Sequence, residues 1–480
     1  MIKKTIHFFI CMLFASIVIA QEKTIELPLI GDRLSGAVSE TEEQALGRQF
    51  LRDLKKDAKI LYDPIVQEWT ELFIYKIGEN SKVNKKTFEV LLIEDNNLNA
   101  FAAPGGIIGI NAGLFKHSDN EAQFASVVSH ELAHLSQRHY ARSQNRNSPL
   151  ANALMILGSI AVAAASRNPE AILIAPAAMQ QMSINYTRSN EKEADRIGFN
   201  NLVKAGFDPN DMTMMFQKMQ DKYQKEDTEQ FSYLMTHPLP SERLTDMKIR
   251  SDSLKKTSEN SFRDNMDFHL MQKRAQVWAE KDSKKLIKMF KKNQKSQNKN
   301  TRISNRYGLS LTYKKNKDFE KSFFILRELI KEIPNNLVLE SSLMELHLAA
   351  GNYYETISLG KNILEIHENN YSASVLLADA YIENGQSEMA EKLLKNLAKD
   401  RQTDPNVWFK LAEAQGLSGN ILELHRSRAE FFILTGRHDA AVFQLKEALS
   451  LSQNLFEIRE SIIRRLEEIF AAKRALTELS

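Results

Sequence analysis

Three glycines in the second half of the chain recur at a fixed spacing of 34 residues: Gly351, Gly385 and Gly419. Ala378 and Ala412 stand seven residues before the last two of them. A period of this length is typical of helical hairpins that stack side by side, because small residues let two antiparallel helices approach and glycine makes the turn between them. The spacing therefore restricts this half of the chain to an all-α solenoid.

The pattern continues beyond Gly419 at half the period. Gly436 follows it by 17 residues, with Ala429 seven residues before Gly436 and Ala441 five residues after it. Small residues and turn glycines at these places resemble the tetratricopeptide repeat. We therefore predict an all-α tetratricopeptide-repeat solenoid over residues 266–480, and generic helical hairpins are the alternative.

Composition excludes several classes of protein. The chain has 480 residues, of which 43% are hydrophobic and 26% are charged. It is too long for one ordinary domain, and its composition can bury hydrophobic cores, so intrinsic disorder is excluded. The formal net charge is only +3. Because a nucleic-acid-binding protein normally carries a basic excess, we expect no nucleic-acid partner.

The first 20 residues have the pattern of an export signal. Two lysines precede an apolar stretch, Ile10–Val18, and the small residue Ala20 stands before a polar run. We predict a signal peptide over residues 1–20, cleaved after Ala20, with an uncleaved N-terminal anchor as the alternative. Cys11 is the single cysteine of the chain, so the mature protein would contain no thiol or disulfide. Such a chain fits a bacterial periplasm.

The segment after the signal has mixed secondary structure. Between residues 41 and 77, apolar residues recur at helical spacing, and Pro64 divides them into two predicted helices. Three short stretches rich in β-forming residues follow: Thr87–Ile93, Asn99–Ala103 and Ile107–Asn111. We predict an α+β domain with a small β-sheet over residues 21–255, and a domain boundary in the polar segment 252–265.

The next predicted helix carries the motif with the clearest chemistry. A capping-box pattern at Ser118 opens the helix, which is predicted to run through His139. It contains H-E-x-x-H as His130, Glu131 and His134. Residues four apart share a helical face, so both imidazoles can bind one Zn²⁺ while the glutamate takes a proton from the attacking water. His139 lies off this face, and we assign it a structural role.

A catalytic zinc usually has a third protein ligand. The metzincin arrangement needs a histidine six residues after His134, but Tyr140 stands there, so that subclass is excluded. A later predicted helix offers Glu191 and, four residues on, Asp195. Glu191 could bind the zinc while Asp195, without binding the metal itself, holds a ligand histidine.

The combination of H-E-x-x-H with E-x-x-A-D resembles the HtpX/Ste-type gluzincin metallopeptidases. The strand–turn segment Asn99–Gly106 and the segment Thr236–Pro240, with Arg243 following, are similar to motifs of their soluble periplasmic branch. A protease domain followed by tetratricopeptide repeats resembles the layout of the BepA-like, β-barrel assembly-enhancing group. The resemblance covers nearly the whole mature chain.

The resemblance implies a mainly α chain, with a zincin-type α+β metalloprotease domain before the repeat solenoid. It implies one zinc ion per chain, bound by His130, His134 and Glu191, with Glu131 as the general base. It also implicates His237, either as a ligand that occupies the open zinc position and keeps the site latent, or as a group that stabilises the oxyanion. A plain surface-loop histidine is the third alternative.

The resemblance further implies that a substrate peptide adds to an edge strand of the sheet through backbone hydrogen bonds. The residues expected to form that edge are Ile107, Ile108, Gly109, Ile110 and Asn111.

Two further segments admit two interpretations each. The apolar segment Leu150–Ser166 is short for a bilayer span, so we expect either a role within the protein, as core packing or a lid, or contact with a membrane surface. The segment Lys281–Lys299 holds eight lysines, which indicates a solvated face or a site for an anionic partner.

Together these features predict an exported zinc endopeptidase that degrades misassembled or stalled outer-membrane proteins. The repeats would recruit either these substrates or the β-barrel assembly machinery. The alternative is a periplasmic chaperone or scaffold that acts through its repeats and has a latent zinc site. Failure to cleave the signal would instead give a membrane-anchored processing enzyme. The sequence specifies neither the substrate nor the oligomeric state.

Overall fold

A computed structural model describes the following parts of the chain: residues 39–83, 87–140, 188–225, 233–255 and 265–477. The predicted signal peptide, residues 1–20, and the apolar segment 150–166 lie outside the described residues. Within the described ranges, no helix is both long enough and apolar enough to cross a bilayer.

The N-terminal half of the protein combines helices with three short strands. Its elements, in chain order, are α1 (Glu40–Asp57), α2 (Pro64–Glu79), β1 (Glu89–Ile93), β2 (Ala100–Ala103), β3 (Ile107–Asn111), α3 (Ala112–His117), α4 (Glu121–Ser136), α5 (Arg188–Lys204), α6 (Pro209–Lys225), α7 (Tyr233–Thr236) and α8 (Ser241–Lys255). The predicted break at Pro64 is confirmed, because this proline occupies the first turn of α2 and Asp63 caps the helix N-terminus.

The order of the three strands corrects one prediction. The sheet order is β1-β3-β2, so β3 is the central strand. It pairs in parallel with β1 on one side and antiparallel with β2 on the other. The turn of Pro104, Gly105 and Gly106 folds β2 back along β3, and both glycines have positive φ there. The expected substrate edge at Ile107, Ile108, Gly109, Ile110 and Asn111 is therefore wrong, because both sides of that strand are already paired.

The helix that carries the H-E-x-x-H motif starts two residues later than expected for its cap. Asn120, not Ser118, is the N-cap of α4, and its side chain accepts a hydrogen bond from the backbone of Gln123. The Ser118 hydroxyl instead donates to the carbonyl of Leu114 and ends the preceding helix α3. The helix also ends at Ser136, before it reaches the predicted end.

The C-terminal half is entirely helical among its described residues, as predicted. Its helices are α9 (Met266–Ala279), α10 (Ser283–Asn293), α11 (Lys299–Lys315), α12 (Phe319–Glu332), α13 (Leu337–Ala349), α14 (Tyr353–Ile366), α15 (Tyr371–Glu383), α16 (Ser387–Asp400), α17 (Pro405–Leu417), α18 (Ile421–Leu434), α19 (His438–Leu451) and α20 (Phe456–Thr477). The repeating glycines adopt positive φ in the turns between helices, where side chains are disfavoured: Gly351, Gly385, Gly419 and Gly436.

The repeats begin with a buried ionic contact to the N-terminal half. Arg274 of α9 is 2% exposed, and it donates hydrogen bonds to Asp63 (2.6 Å) and Glu345 (2.7 Å). Asp63 caps α2, while Glu345 belongs to α13. One guanidinium therefore joins the helix that supports the sheet to the first repeats, and breaking such a buried pair is costly.

Later repeats contact α2 again. Glu68 accepts hydrogen bonds from the backbone N–H groups of Tyr371 (2.8 Å) and Ser372 (3.2 Å) at the start of α15. Glu71, one turn further along α2, pairs with Arg401 at 2.5 Å. Helix α2 thus lies against α9, α13 and α15. Part of the repeat surface is used for this internal contact.

Candidate active site

Two helices bring the motif residues together. His130 and His134 lie one turn apart on α4, and Glu191 and Asp195 lie one turn apart on α5. All four side chains are buried, with exposures between 0% and 4%. The helices approach closely at Gly198, where a Cβ would lie 3.0 Å from the backbone of His130. Only a residue without a side chain fits this crossing without displacement.

Four potential metal ligands meet between these helices. One ligand atom from each of His130, His134, Glu191 and His237 lies within 4.8 Å of the others. The Nε2 atoms of His130 and His134 are 2.9 Å apart. Glu191 Oε2 lies 3.4 Å from His130 Nε2, and Glu191 Oε1 lies 3.4 Å from His134 Nε2. Glu191 Oε1 also lies 3.1 Å from His237 Nδ1. The described residues contain one such cluster of His, Cys, Asp or Glu.

The donor set fits a zinc ion. Two imidazole nitrogens that point at each other repel when both carry lone pairs, unless a cation lies between them. Burial removes the water that would otherwise solvate His130 and His134. Two or three imidazoles with one carboxylate form a donor set typical of zinc. When ligand atoms surround a zinc ion tetrahedrally at about 2.0–2.2 Å, the distances between the ligand atoms are similar to those in this cluster.

The pKa shifts favour the metal-binding forms of two ligands, His134 and Glu191, and the protonated form of the third, His130, while no metal is bound. Burial lowers the pKa of His134 to about 3, which favours the neutral imidazole. Burial opposes the charged form of Glu191, yet His237 and His134 hold the pKa of that carboxyl well below its usual range. For His130, burial is outweighed by Asp195 and Glu191, which raise its pKa to about 9.

A buried arginine and carboxylate support one side of the cluster. Asp195 Oδ1 lies 3.0 Å from His130 Nδ1, the ring nitrogen that faces away from the other ligands. Arg243 donates two hydrogen bonds of 2.7 Å to Asp195, and its third nitrogen lies 2.8 Å from Glu191 Oε2. The geometry thus permits the predicted role of Asp195, which is to hold the ring of a ligand histidine. Arg243 therefore supports the carboxylates of both Asp195 and Glu191, a role that the spacing of residues in the sequence does not reveal.

A second chain of contacts supports His134 and was missed by sequence reasoning. His139 Nδ1 lies 3.0 Å from His134 Nδ1, and His139 Nε2 lies 3.1 Å from Glu193 Oε2. If His134 uses Nε2 for the metal, its Nδ1 carries the proton and donates to His139. His139 must then carry its own proton on Nε2, facing Glu193. His139 therefore contacts a ligand, although it lies off the ligand face as expected.

The carboxylate of Glu131 is held by two donors on the other side of the cluster. The Tyr233 hydroxyl donates to Oε1 at 3.0 Å, and the backbone N–H of Ala102 in β2 donates to Oε2 at 3.1 Å. His237 Nε2 lies 3.6 Å from Oε1. Sequence reasoning missed Tyr233, because its position one helical turn before His237 places it near that histidine but does not indicate a contact with Glu131.

A buried histidine pair on one helix, a glutamate from a second helix and an adjacent carboxylate define a metallopeptidase centre. The comparison with family models agrees: residues 64–251 match Peptidase family M48, and residues 347–415 match the tetratricopeptide repeat. The chain is an M48 metallopeptidase with a C-terminal repeat region.

Relatives place it more narrowly. The chain is 30% identical over 459 residues to the beta-barrel assembly-enhancing protease of Escherichia coli (strain K12), which covers 92% of each chain. The protein of that name from Yersinia pestis is 30% identical over 462 residues, covering 92% of this chain and 93% of the relative. The mitochondrial metalloendopeptidase OMA1 of Arabidopsis thaliana is 26% identical over 192 residues, or 40% of this chain and 38% of the relative. The chain belongs to the family of beta-barrel assembly-enhancing proteases.

Proposed function

We propose that this chain is an exported zinc endopeptidase of the periplasm that degrades misassembled or stalled outer-membrane proteins. The observation that carries the proposal is the buried cluster of His130, His134, Glu191 and His237, with Glu131 beside it. The names of the relatives, which refer to β-barrel assembly, support the choice of substrate class.

The residues of the site would have the following roles in the reaction. His130, His134 and Glu191 would hold the zinc ion, which when bound lowers the pKa of water and polarises a carbonyl. Glu131 would take the proton of the attacking water and return it to the leaving amine. Asp195 would orient the ring of His130.

We infer that the substrate strand adds to β2, the strand next to α4. The backbone N–H of Asn111 donates to the carbonyl of Asn99 at 3.1 Å, so Asn99 faces the central strand. Backbone groups alternate in direction along a strand, so those of Ala100 and Ala102 point away from it. This outer edge can accept an extended peptide through backbone hydrogen bonds.

In the present conformation this edge and the catalytic groups are engaged by the segment Tyr233–His237. The backbone N–H of Tyr233 donates to the carbonyl of Leu98 at 3.3 Å. Its hydroxyl and the N–H of Ala102 hold both oxygens of Glu131. We infer that the segment must shift before a substrate binds, and that the conformation is latent.

Substitution of His237 tests whether this histidine keeps the site latent or takes part in catalysis. As a latency ligand it would block the fourth position, so His237→Ala should raise the rate of peptide cleavage. As an oxyanion donor it would stabilise the transition state, so the same change should lower the rate on the order of 100-fold. His425→Ala, in the repeats, is the matched control.

The central test of the activity is Glu131→Gln. We expect cleavage of an unstructured soluble peptide to be lost while zinc content stays that of the wild type, because the amide cannot take a proton. Glu242→Gln, at an exposed glutamate of α8, should leave both unchanged. Cleavage by the Glu131 variant at the wild-type rate would remove Glu131 from the reaction.

A chaperone or scaffold role is the second candidate, and the latent arrangement of Glu131 and His237 favours it. In that case the Glu131→Gln variant would still support growth of cells that depend on the protein. Deletion of residues 266–480 would abolish that support. Loss of support in both variants would instead favour the protease.

A further inference from the structure

The positive charge of the chain is concentrated at the start of the repeats. Residues 266–317 hold fifteen lysines and arginines against three carboxylates, a net charge of +12. The whole chain carries +3, so the remaining residues carry −9. This segment of the chain is therefore strongly basic, whereas the rest of the chain is acidic.

Seven of the twelve lysines of this stretch lie on α10 and its flanks. They are Lys281, Lys284, Lys285, Lys288, Lys291, Lys292 and Lys295. The five of them that lie within α10 fall within an arc of about 120° at 100° per residue. All seven are exposed, whereas Leu286 and Phe290 on the other side of the helix are 1% and 0% exposed. Packing thus fixes the helix with its lysine face toward solvent. We call these seven residues the lysine face.

Most of these charges have no counter-charge among the residues that the structure describes. Lys285 pairs with Glu280 at 2.5 Å. Across the described ranges, the other six lysines of the face make no ion pair with a carboxylate. Arg302 and Arg306 of the next helix show the contrast, because both pair with Glu332. Six exposed ammonium groups held close together repel each other, and a neighbouring anionic surface would relieve that repulsion.

We propose that the lysine face binds the surface of a bilayer that contains anionic phospholipid. Lysine ammonium groups are hydrated point charges that suit a plane of phosphates, whereas bidentate recognition of a peptide carboxylate favours arginine. The inference rests on the proposed function, in that a protease of outer-membrane proteins works beside a membrane.

The test measures binding of the full-length protein to vesicles. Vesicles of about one-third phosphatidylglycerol in phosphatidylcholine are compared with pure phosphatidylcholine by co-sedimentation. We expect binding to the anionic vesicles alone, and its loss at about 0.5 M NaCl, since salt screens exposed charges. Inorganic phosphate at millimolar concentration should not compete, because a free ion lacks the extended plane.

Variants locate the binding surface. Replacing Lys284, Lys288, Lys291 and Lys292 by glutamine should weaken vesicle binding by roughly 600-fold, since each lysine near an anionic surface contributes roughly fivefold. The matched control replaces four exposed lysines elsewhere in the repeats that make no ion pair with any described residue, and it should weaken binding less than about threefold. Its positions are Lys361, Lys392, Lys395 and Lys446.

Equal losses in the two quadruple variants would overturn the proposal, as would absence of binding to anionic vesicles. Tighter binding to double-stranded DNA than to vesicles would overturn it in favour of a nucleic-acid partner.

Cleavage of a soluble peptide separates this inference from the proposed function. The lysine-face variant should cleave it at the wild-type rate. A wild-type protein that binds vesicles but cleaves nothing would refute the protease and leave the membrane contact intact.

Discussion

Replacing Gly198 by alanine tests whether the crossing of α4 and α5 sets the metal site. The added Cβ would lie 3.0 Å from the Cα and N atoms of His130 and from the carbonyl oxygen of Ser129. These are backbone atoms, which cannot rotate away as a side chain would. The variant must therefore shift α5 relative to α4 by a few tenths of an ångström.

The expected magnitudes separate stability from metal binding. Overpacking of this kind costs about 1–3 kcal/mol, while alanine in place of glycine within a helix gains up to about 1 kcal/mol. The net loss in free energy of unfolding is then about 0–2 kcal/mol. Glu191 lies on the same helix, 3.4 Å from both ligand histidines, so the shift changes the spacing of the donors directly. We expect zinc affinity to fall about 10- to 100-fold, as for disturbed ligand orientation.

The assay is competition for zinc with a chromophoric chelator, together with the melting temperature of the metal-free protein. Gly416→Ala is the matched control, because its Cβ would meet only the end of the flexible Leu424 side chain. Its zinc affinity should equal that of the wild type. Wild-type zinc affinity in the Gly198 variant would refute the idea that this crossing positions Glu191.

Two further substitutions test the groups around the ligands. Arg243→Met should lower the free energy of unfolding of the metal-free protein in urea by about 3–5 kcal/mol, because two buried carboxylates lose their cation; zinc should restore part of the loss, and an unchanged unfolding curve would contradict the pairing. His139→Ala should weaken zinc binding about 10- to 100-fold and change the visible spectrum of the cobalt-substituted protein. Glu193→Gln keeps an acceptor oxygen for His139 and should change neither the zinc affinity nor the cobalt spectrum. Equal effects of His139→Ala and Glu193→Gln would mean that both residues have a merely structural role.

Local patterns predicted the parts of the site that depend on one helix. His130, Glu131 and His134 are brought together by the helical period alone, and the same period places Glu191 and Asp195 on one face. The glycine spacing likewise predicted the turns of the repeats, because each turn is a local requirement for positive φ.

The predictions that are wrong concern features that depend on residues elsewhere in the chain. The order of strands in the sheet depends on which neighbours pair, and the pattern of Ile107–Asn111 is equally compatible with a central or an edge strand. The cap of α4 was misplaced because Ser118 and Asn120 are both good capping residues, and only the structure shows that Ser118 ends α3.

Contacts between distant segments left no signal in the sequence. Arg274 and Asp63 are separated by 211 positions, and nothing near either residue indicates the other. The same holds for the hydroxyl of Tyr233 on Glu131, which joins residues 102 positions apart. Such pairs follow from the packing of the repeats and of α7 against the sheet domain, which single-sequence patterns do not specify.

The most direct test of the account is the amount of zinc in the purified mature protein, measured by elemental analysis. We expect about one zinc ion per chain in the wild type and almost none in His134→Ala. Near-zero zinc in the wild type, even after incubation with added Zn²⁺, would contradict the metallopeptidase mechanism.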